Sequence, residues 1–322
     1  FDINNANLTI QQVQQQSTIP SGVTLAPGMD TGTSGSDNIT NLNNSSGKTL
    51  QFVVSGTIPG ALVKLYATGV VIGSATASGS TTTITPTGTI ADNPYNMRAT
   101  QTESGKSESN LSGITLVTID TLAPSISVPA SFDFEALPLQ IIYGFSENVQ
   151  PSLASSDVAI TNSTNPQATI PGSSFLYTSA TNKAQLQFAG VLPDGEYAAK
   201  ITAADITDVA GNALASNDTF NFFFLAADGD RNEVVDISDF NILAVNFGTS
   251  AKTFSQGNYD YSADQAVTIT DFNVLAIQFG KTTLSAGQTS VQALAVTESS
   301  SSSSGALPLR NDVNLLDDVG LV

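Results

Sequence analysis

The segment Ala184-Gln185-Leu186-Gln187-Phe188 alternates apolar and polar residues without a break. Successive side chains of a β-strand point to opposite faces, so this pattern gives one face to a core and the other to water. Tyr197-Ala198-Ala199-Lys200-Ile201 and Phe220-Asn221-Phe222-Phe223-Phe224 follow closely. Upstream, Val63 and Leu65 flank Lys64 in the same way before a turn at Gly69 and a second run at Val70–Ile72. Strand-length runs separated by Gly, Asn, Pro and Asp clusters at about 8–12 residues predict antiparallel β-sandwiches. The aromatics of these runs read as sandwich core.

The period changes after residue 226. Phe240, Leu243, Ala244 and Phe247 fall at i, i+3, i+4, i+7, and Phe272, Leu275, Ala276 and Phe279 repeat the pattern 32 residues later. That spacing predicts two short amphipathic helices. The expected organisation is mainly β, with five regions. An N-terminal strand or linker segment spans 1–24, and β-sandwiches span 25–121 and 122–226. A small helical module spans 227–281, and a Ser-rich linker and tail span 282–322.

Composition narrows the chemistry. The 322 residues carry 10 basic against 28 acidic side chains, a formal net charge of −18, with no histidine and no cysteine. A default nucleic-acid surface is excluded, because binding phosphates requires clustered Lys and Arg. Ser-His-Asp and Cys-His catalysis, His- or Cys-ligated zinc, and the usual haem and iron–sulfur ligands are also excluded. Carboxylate-built sites for hard cations stay open. No stretch approaches the roughly 18 apolar residues of a membrane helix, so no membrane insertion is expected. The chain opens on Phe1 rather than Met, which predicts that something upstream has been removed, a signal peptide or a preceding domain. The low-charge, Thr/Asn/Ser-rich composition predicts a secreted bacterial product.

The densest signal is a duplicated acidic stretch. The first copy runs Asp228-Gly-Asp230-Arg-Asn232-Glu-Val234-Val235-Asp236-Ile237-Ser238-Asp239, and the second runs Asp260-Tyr-Ser262-Ala-Asp264-Gln-Ala266-Val267-Thr268-Ile269-Thr270-Asp271. Each places side-chain oxygens at loop positions 1, 3, 5, 9 and 12, an aliphatic residue at 8, and a helix immediately after. Calcium takes six to eight oxygens, and a 12-residue loop supplies them from these positions plus a carbonyl at 7. The position-8 residues are expected to tie the two loops through a short strand pair. The alternative is a pair of solvated acidic turns, which the identical phase of the two copies argues against.

Duplicated loop–helix units with each helix ending in Phe-Gly resemble type I dockerins, in the variety common on secreted proteins of planctomycete-like bacteria. The resemblance covers about 226–281. It implies a fold built on two calcium ions and binding to a cohesin module. By position, the first ion would take Asp228, Asp230, Asn232, Asp236 and Asp239 with the Val234 carbonyl. The second would take Asp260, Ser262, Asp264, Thr268 and Asp271 with the Ala266 carbonyl. Glu233 and Gln265 stand at loop position 6, where the family has Gly, and a left-handed non-Gly residue costs on the order of 1 kcal/mol. Ser262 and Thr268 are neutral, so the second site is expected to be the weaker. Positions 10 and 11 are Ile237/Ser238 and Ile269/Thr270, which leaves room for the module to pack on its own chain.

Residues 30–40, with Asp30, Asp37 and Asn38, and Thr118-Ile-Asp120-Thr-Leu-Ala-Pro124 resemble the start and end of bacterial Ig-like repeats. That resemblance implies a further calcium at the domain junction, with Asp30, Asp37, Asn38 and Asp120 as candidate ligands. Turn chemistry is the competing account of the same residues. Phe145-Ser-Glu147-Asn-Val149, Asp194-Gly195 and Asp208-Val-Ala-Gly211-Asn212 resemble a second bacterial Ig-like domain, with Asp194-Gly195 expected as a hairpin turn and Gly211 at positive φ.

Glu135, Glu147, Asp194 and Glu196 are the carboxylates from which a glycosidase pair would come. Tryptophan is absent and aromatics are 7%, against the stacking surfaces that sugar clefts use. No catalysis is therefore expected, and polysaccharide binding has no support. The function expected is a non-catalytic extracellular protein at the cell surface. It is either a calcium-stiffened Ig-like rod that assembles with copies of itself into a layer or fibre, or a module that docks on a cohesin-like partner. Self-assembly would use an apolar terminal segment as a donated strand, Phe1–Ile10 or Leu307–Val322, the latter tethered by Ser299–Ser304.

Overall fold

The computed structural model describes residues 14–283. The donor segments Phe1–Ile10 and Leu307–Val322 and the serine run lie outside the described residues. The described residues are mainly β with two short α-helices.

The first sandwich contains β1 (Gly22–Leu25), β2 (Ile39–Thr40), β3 (Phe52–Ser55), β4 (Leu62–Ala67), β5 (Val70–Thr76), β6 (Thr81–Ile84), β7 (Asn93–Thr102) and β8 (Thr115–Ile119). One sheet has the order β1-β3-β6 and the other β2-β8-β7-β4-β5. Val63 and Leu65 point inward to meet Phe52, Val54 and Met97, all buried. β1 starts at Gly22 and pairs with β3, so the end of the 1–24 segment belongs to this sheet. The named strands pair antiparallel except at Ile39–Thr40, which runs parallel to Thr118–Ile119. This two-residue contact brings the Asp30–Asn38 loop back beside the last strand.

The second sandwich contains β9 (Ile126–Asp133), β10 (Gln140–Phe145), β11 (Val158–Asn162), β12 (Ser173–Thr178), β13 (Lys183–Phe188), β14 (Gly195–Ile201) and β15 (Asp218–Phe224). Its sheets are β12-β13-β10-β9 and β11-β14-β15. Ala184, Leu186 and Phe188 are all buried, as their alternation predicts, with Leu186 opposite Ile141 and Ala184 opposite Tyr143. Asp194-Gly195 is not a hairpin turn. β13 and β14 lie in different sheets, so this dipeptide ends a crossover from one sheet to the other. Gly195 has φ 150°, and a Cβ there would sit 2.4 Å from Asn162 Oδ1, so only glycine fits. The Tyr197 hydroxyl donates to the Pro193 carbonyl and pins the crossover to the strand it enters.

After β15 come helices α1 (Ile237–Asn246) and α2 (Ile269–Gln278). Each opens on a capping box. Asp236 accepts the Ser238 N–H while Asp239 reaches back to the Asp236 N–H, and Thr268 and Asp271 do the same in the second copy. The periodicity locates the helices, but the i, i+3, i+4, i+7 residues are not one buried face. Only Leu243 and Leu275 of those sets are buried, and Phe247 and Phe279 are 50% and 55% exposed.

The position-8 residues do not pair with each other. Val235 exchanges hydrogen bonds with Gly280 and Lys281, just past α2. Val267 exchanges them with Gly248 and Thr249, just past α1. Each loop therefore grips the exit of the other repeat's helix, and the two valines are fully buried.

The described residues form two cores rather than three. One belongs to the first sandwich. The other runs from Leu139, Ile141 and Leu186 through Phe222 and Phe224 into Val235, Leu243, Phe254, Tyr259, Val267 and Leu275. The loop–helix segment thus shares a core with the second sandwich. Phe254 sits at its centre, fully buried, edge-on to Phe134 and Tyr259 and stacked on Tyr261.

Candidate metal centre

In loop 1 the start of α1 and the crossing chain after β15 bring Asp228, Asp230 and Asp239 together, with a carboxylate oxygen of each within 4.8 Å of the others. Asp239 sits in the first turn of α1, where the macrodipole favours an anion. Its two oxygens accept the N–H groups of Gly229 (2.7 Å), Asp230 (3.3 Å) and Asp236 (2.8 Å). Asp228 accepts the N–H groups of Asn232 (3.1 Å) and Glu233 (2.9 Å), curling the loop around itself. Asn232 Oδ1 accepts the Val234 N–H, and Asp236 caps α1. Glu233 takes the left-handed conformation that position 6 demands, with φ 69°.

Asp228 and Asp239 are fully buried, and Asp230 is exposed. Burial, followed by the charges of Asp239 and Asp230, pushes the Asp228 carboxyl up to about 7. Burial also raises Asp239. Arg231 forms no ion pair with them and feels Asp228 only through its charge: its guanidinium carbon lies 3.7 Å from the Phe223 ring centre and 4.2 Å from that of Phe134. Both ion pairs among the described residues, Lys64–Glu108 and Lys106–Glu103, lie in the first sandwich. Three carboxylates converge here, with the Asn232 side-chain amide beside them and no ion-pair partner among the described residues. This donor set fits a hard divalent cation such as calcium.

Loop 2 repeats the frame with fewer charges. Asp271, fully buried at the start of α2, accepts the N–H groups of Asp260 (3.0 Å) and Thr268 (2.8 Å). Gln265 is left-handed at φ 52°. Ser262 replaces a carboxylate, and its hydroxyl contacts Asn258 Oδ1 (3.1 Å) and the Ala266 carbonyl (3.4 Å). Asp264 accepts the Ala266 N–H, and Thr268 caps α2. Burial, then the charge of Asp271, raises Asp260.

At the junction of the sandwiches the structure gathers a different set from the one the sequence suggests. Asp120 joins Glu147 and Asp208, with an oxygen of each within 4.8 Å of the others. Asp30, Asp37 and Asn38 are not in that group. Asp30 accepts the Asn38 N–H and Asp37 accepts the Ile39 N–H, so both do the turn chemistry of their own loop. Burial, then the charges of Asp120 and Asp208, pushes Glu147 up to about 7. Asp208 also fixes its turn by accepting the N–H groups of Gly211 and Asn212, and the Asn212 amide donates to the Asp120 carbonyl. Glu147 and Asp208 sit in the Phe145–Val149 and Asp208–Asn212 motifs; only their convergence in space marks them.

Two other carboxylates weighed for catalysis, Glu135 and Asp194, hold structure. Glu135 accepts both the N–H and the hydroxyl of Ser255, at 3.1 and 2.7 Å. Asp194 accepts the Ala226 N–H and the Gln278 side-chain amide.

A family model described as a bacterial Ig-like domain matches residues 16–121, and a second of the same description matches 120–224. The chain therefore contains two bacterial Ig-like domains. Such domains are typical of non-enzymatic, extracellular or surface proteins and suggest a structural or adhesive role. No curated relative matches. Among solved structures, the chain is similar to the chicken CNTN1 FN1-FN3 domains, at 10% identity and a TM-score of 0.29, over 64% of each chain. It is also similar to titin domains I67-I69, at 9% identity and 0.28 over 62% of this chain and 64% of that one. A third is the BSP domain of a biofilm associated protein, at 12% and 0.22, over 65% of this chain and 30% of that one. No helix among the described residues is long and apolar enough to cross a membrane.

Proposed function

We propose that this chain is a non-catalytic extracellular assembly protein whose C-terminal loop–helix segment is a dockerin-like module folded around calcium. Asp228, Asp230, Asn232, Asp236, Asp239 and the Val234 carbonyl hold one ion. Asp260, Ser262, Asp264, Thr268, Asp271 and the Ala266 carbonyl hold a weaker second. A third is held at the junction by Asp120 together with Glu147 and Asp208, the carboxylates that converge there. The observation that carries the reading is the convergence of Asp228, Asp230 and Asp239 without an ion-pair partner among the described residues, on a loop whose position-6 residue accepts left-handed strain. Calcium stiffens the Ig-like units, and copies of the chain associate into a surface layer or fibre.

A second reading is docking onto a cohesin-like partner, favoured by the outer faces of the two helices. Ile237, Val245 and Phe247 and their counterparts Ile269, Ile277 and Phe279 are 50–83% exposed, and the only charged residues of α1 and α2, Asp239 and Asp271, are buried. Interface cores are depleted of charge in this way. Light scattering of the full chain with calcium, and of deletions of 1–13 and of 306–322, separates the two. Oligomers that either deletion dissolves support self-assembly; a monomer in all three that captures a cohesin module supports docking. An unchanged helix signal and thermal midpoint on chelator titration contradicts the calcium sites.

A further inference from the structure

We infer that loop 1 and the second sandwich are thermodynamically linked through Arg231, so that a cation in loop 1 tightens β9 and β15, and those strands in turn set the loop's affinity. The inference rests on the calcium reading of loop 1 and adds a path by which occupancy is felt in the Ig-like domain. Arg231 lies between Asp230 and Asn232, two of the proposed ligands, and its backbone is left-handed at φ 61°. Its side chain leaves the loop and lies over Phe223 of β15, Phe134 just past β9, and Phe132 of β9, at 3.7, 4.2 and 5.9 Å from the ring centres. One guanidinium nitrogen donates to the Phe223 carbonyl at 3.0 Å, while Nη1 is buried with no hydrogen-bond partner. The rings and one carbonyl therefore hold the arginine, which forms no ion pair among the described residues; Asp228, Glu233 and Glu135 act on it through charge alone.

Turning the peptide between Asp230 and Asn232 would pull the guanidinium off its aromatic shelf. Conversely, a shelf that holds Arg231 fixes that peptide before any ion arrives. Loop 2 is fastened to the same place, because the Tyr261 hydroxyl donates to the Phe134 carbonyl at 2.7 Å. Such coupling is reciprocal: the factor by which the sandwich raises calcium affinity equals the factor by which calcium stabilises the sandwich contact.

The test is calcium titration calorimetry together with peptide-level hydrogen exchange on the full chain. Calcium chloride is expected to slow exchange in peptides covering Ile126–Asp133 and Asp218–Phe224 as well as 228–239. Arg231→Ala is expected to lower loop 1 affinity by about 10–100-fold, as loss of a ligand-orienting partner does, and to confine the calcium response to the loops. Arg231→Lys keeps the charge but not the planar stacking, should fall between the two, and carries the test if the alanine variant does not fold. A wild-type response in 228–239 with none in the strands overturns this inference alone. So does an Arg231→Ala chain with unchanged affinity and strand response. Absence of both heat and protection at 228–239 overturns the calcium reading and this inference with it.

Discussion

Replacing Phe254 by alanine tests whether the loop–helix segment and the second sandwich are one folding unit. The ring is fully buried among Phe134 and Phe224 of the sandwich side and Tyr259 and Tyr261 of the loop side, with ring centres 5.3–6.0 Å away. Returning a buried phenylalanine to water costs about 2–3 kcal/mol in transfer. A residual void of roughly 80 Å³, at about 24 cal/mol per Å³, adds about 2 kcal/mol. The Phe254 N–H also donates to the Glu135 carbonyl, so the void cannot close without moving that contact. The expected loss is about 4 kcal/mol, or about 8–16 °C in midpoint for a cooperative unit of this size. The assay is thermal and urea unfolding of the full chain. Far-ultraviolet circular dichroism reports the β signal and near-ultraviolet tyrosine bands the packing, since the chain has no tryptophan. Val245→Ala, at a residue 83% exposed, should stay within about 0.5 kcal/mol and serves as control. If Phe254→Ala melts the helices in a separate early step and leaves the β transition where it was, the shared core has no energetic meaning and the argument fails.

Gly32→Ala should separate the two sandwiches. Gly32 has φ 87°, and its Cβ would lie 2.0 Å from the Val209 carbonyl oxygen. Backbone must therefore move, at about 2 kcal/mol or more, and faster proteolysis near residues 118–125 reports it. Asp239→Ala should lower calcium affinity about 100-fold or more and Thr268→Ala less than tenfold, because only the first removes a helix-anchored charge; equal losses by calorimetry would contradict the assignment. In chelator, stability should rise on acidification from pH 7.5 to 5. Burial raises Asp228 and Glu147 to about 7, well above the value near 4 of an unfolded carboxylate, so the native state binds more protons across that window. Below it the sign reverses for Glu108. Hydrogen bonds from Thr100 and Lys64 hold that carboxyl at about 2, and its contribution is lost as pH falls towards that value. A midpoint that drops between pH 7.5 and 5 would refute the first half. Calcium affinity should fall over the same range, as protons compete for the ligands.

The alternation at Ala184–Phe188 and Tyr197–Ile201 was legible because each strand repeats its instruction every second residue. The helices were legible for the same reason at a different period, but their orientation was not. Apolar side chains surround α1 and α2, so the pattern gives a helix without saying which side is covered. What the sequence conceals is contact through single residues in irregular chain. Phe254, Tyr261 and Arg231 belong to no periodic run, and Glu135 looks like any surface carboxylate until Ser255 is placed against it. The acidic loops stood out through duplication, whereas Glu147 and Asp208, 61 residues apart, meet only in the fold.

The pairing of Glu233–Val235 with residues 280–283 has a mechanical consequence. Lys281 and Gly280 bond to Val235, and Thr283 bonds to Glu233. The chain therefore leaves the module beside the point where it entered. Tension applied beyond Thr283 passes across this clasp into the second sandwich and bypasses both helices. They lie in a closed bight that bears no load until the clasp opens. Opening frees about 50 residues, which at about 3.4 Å each is on the order of 17 nm of slack. Under force spectroscopy the clasp should open before the first sandwich yields, and because the segment shares its core with the second sandwich that length should be released together with the sandwich in one step; a trace in which the second sandwich yields while the clasp holds would rule the bypass out. A protein stretched between two anchorages would then hold a reserve of length at its C-terminal side that refills when the load drops.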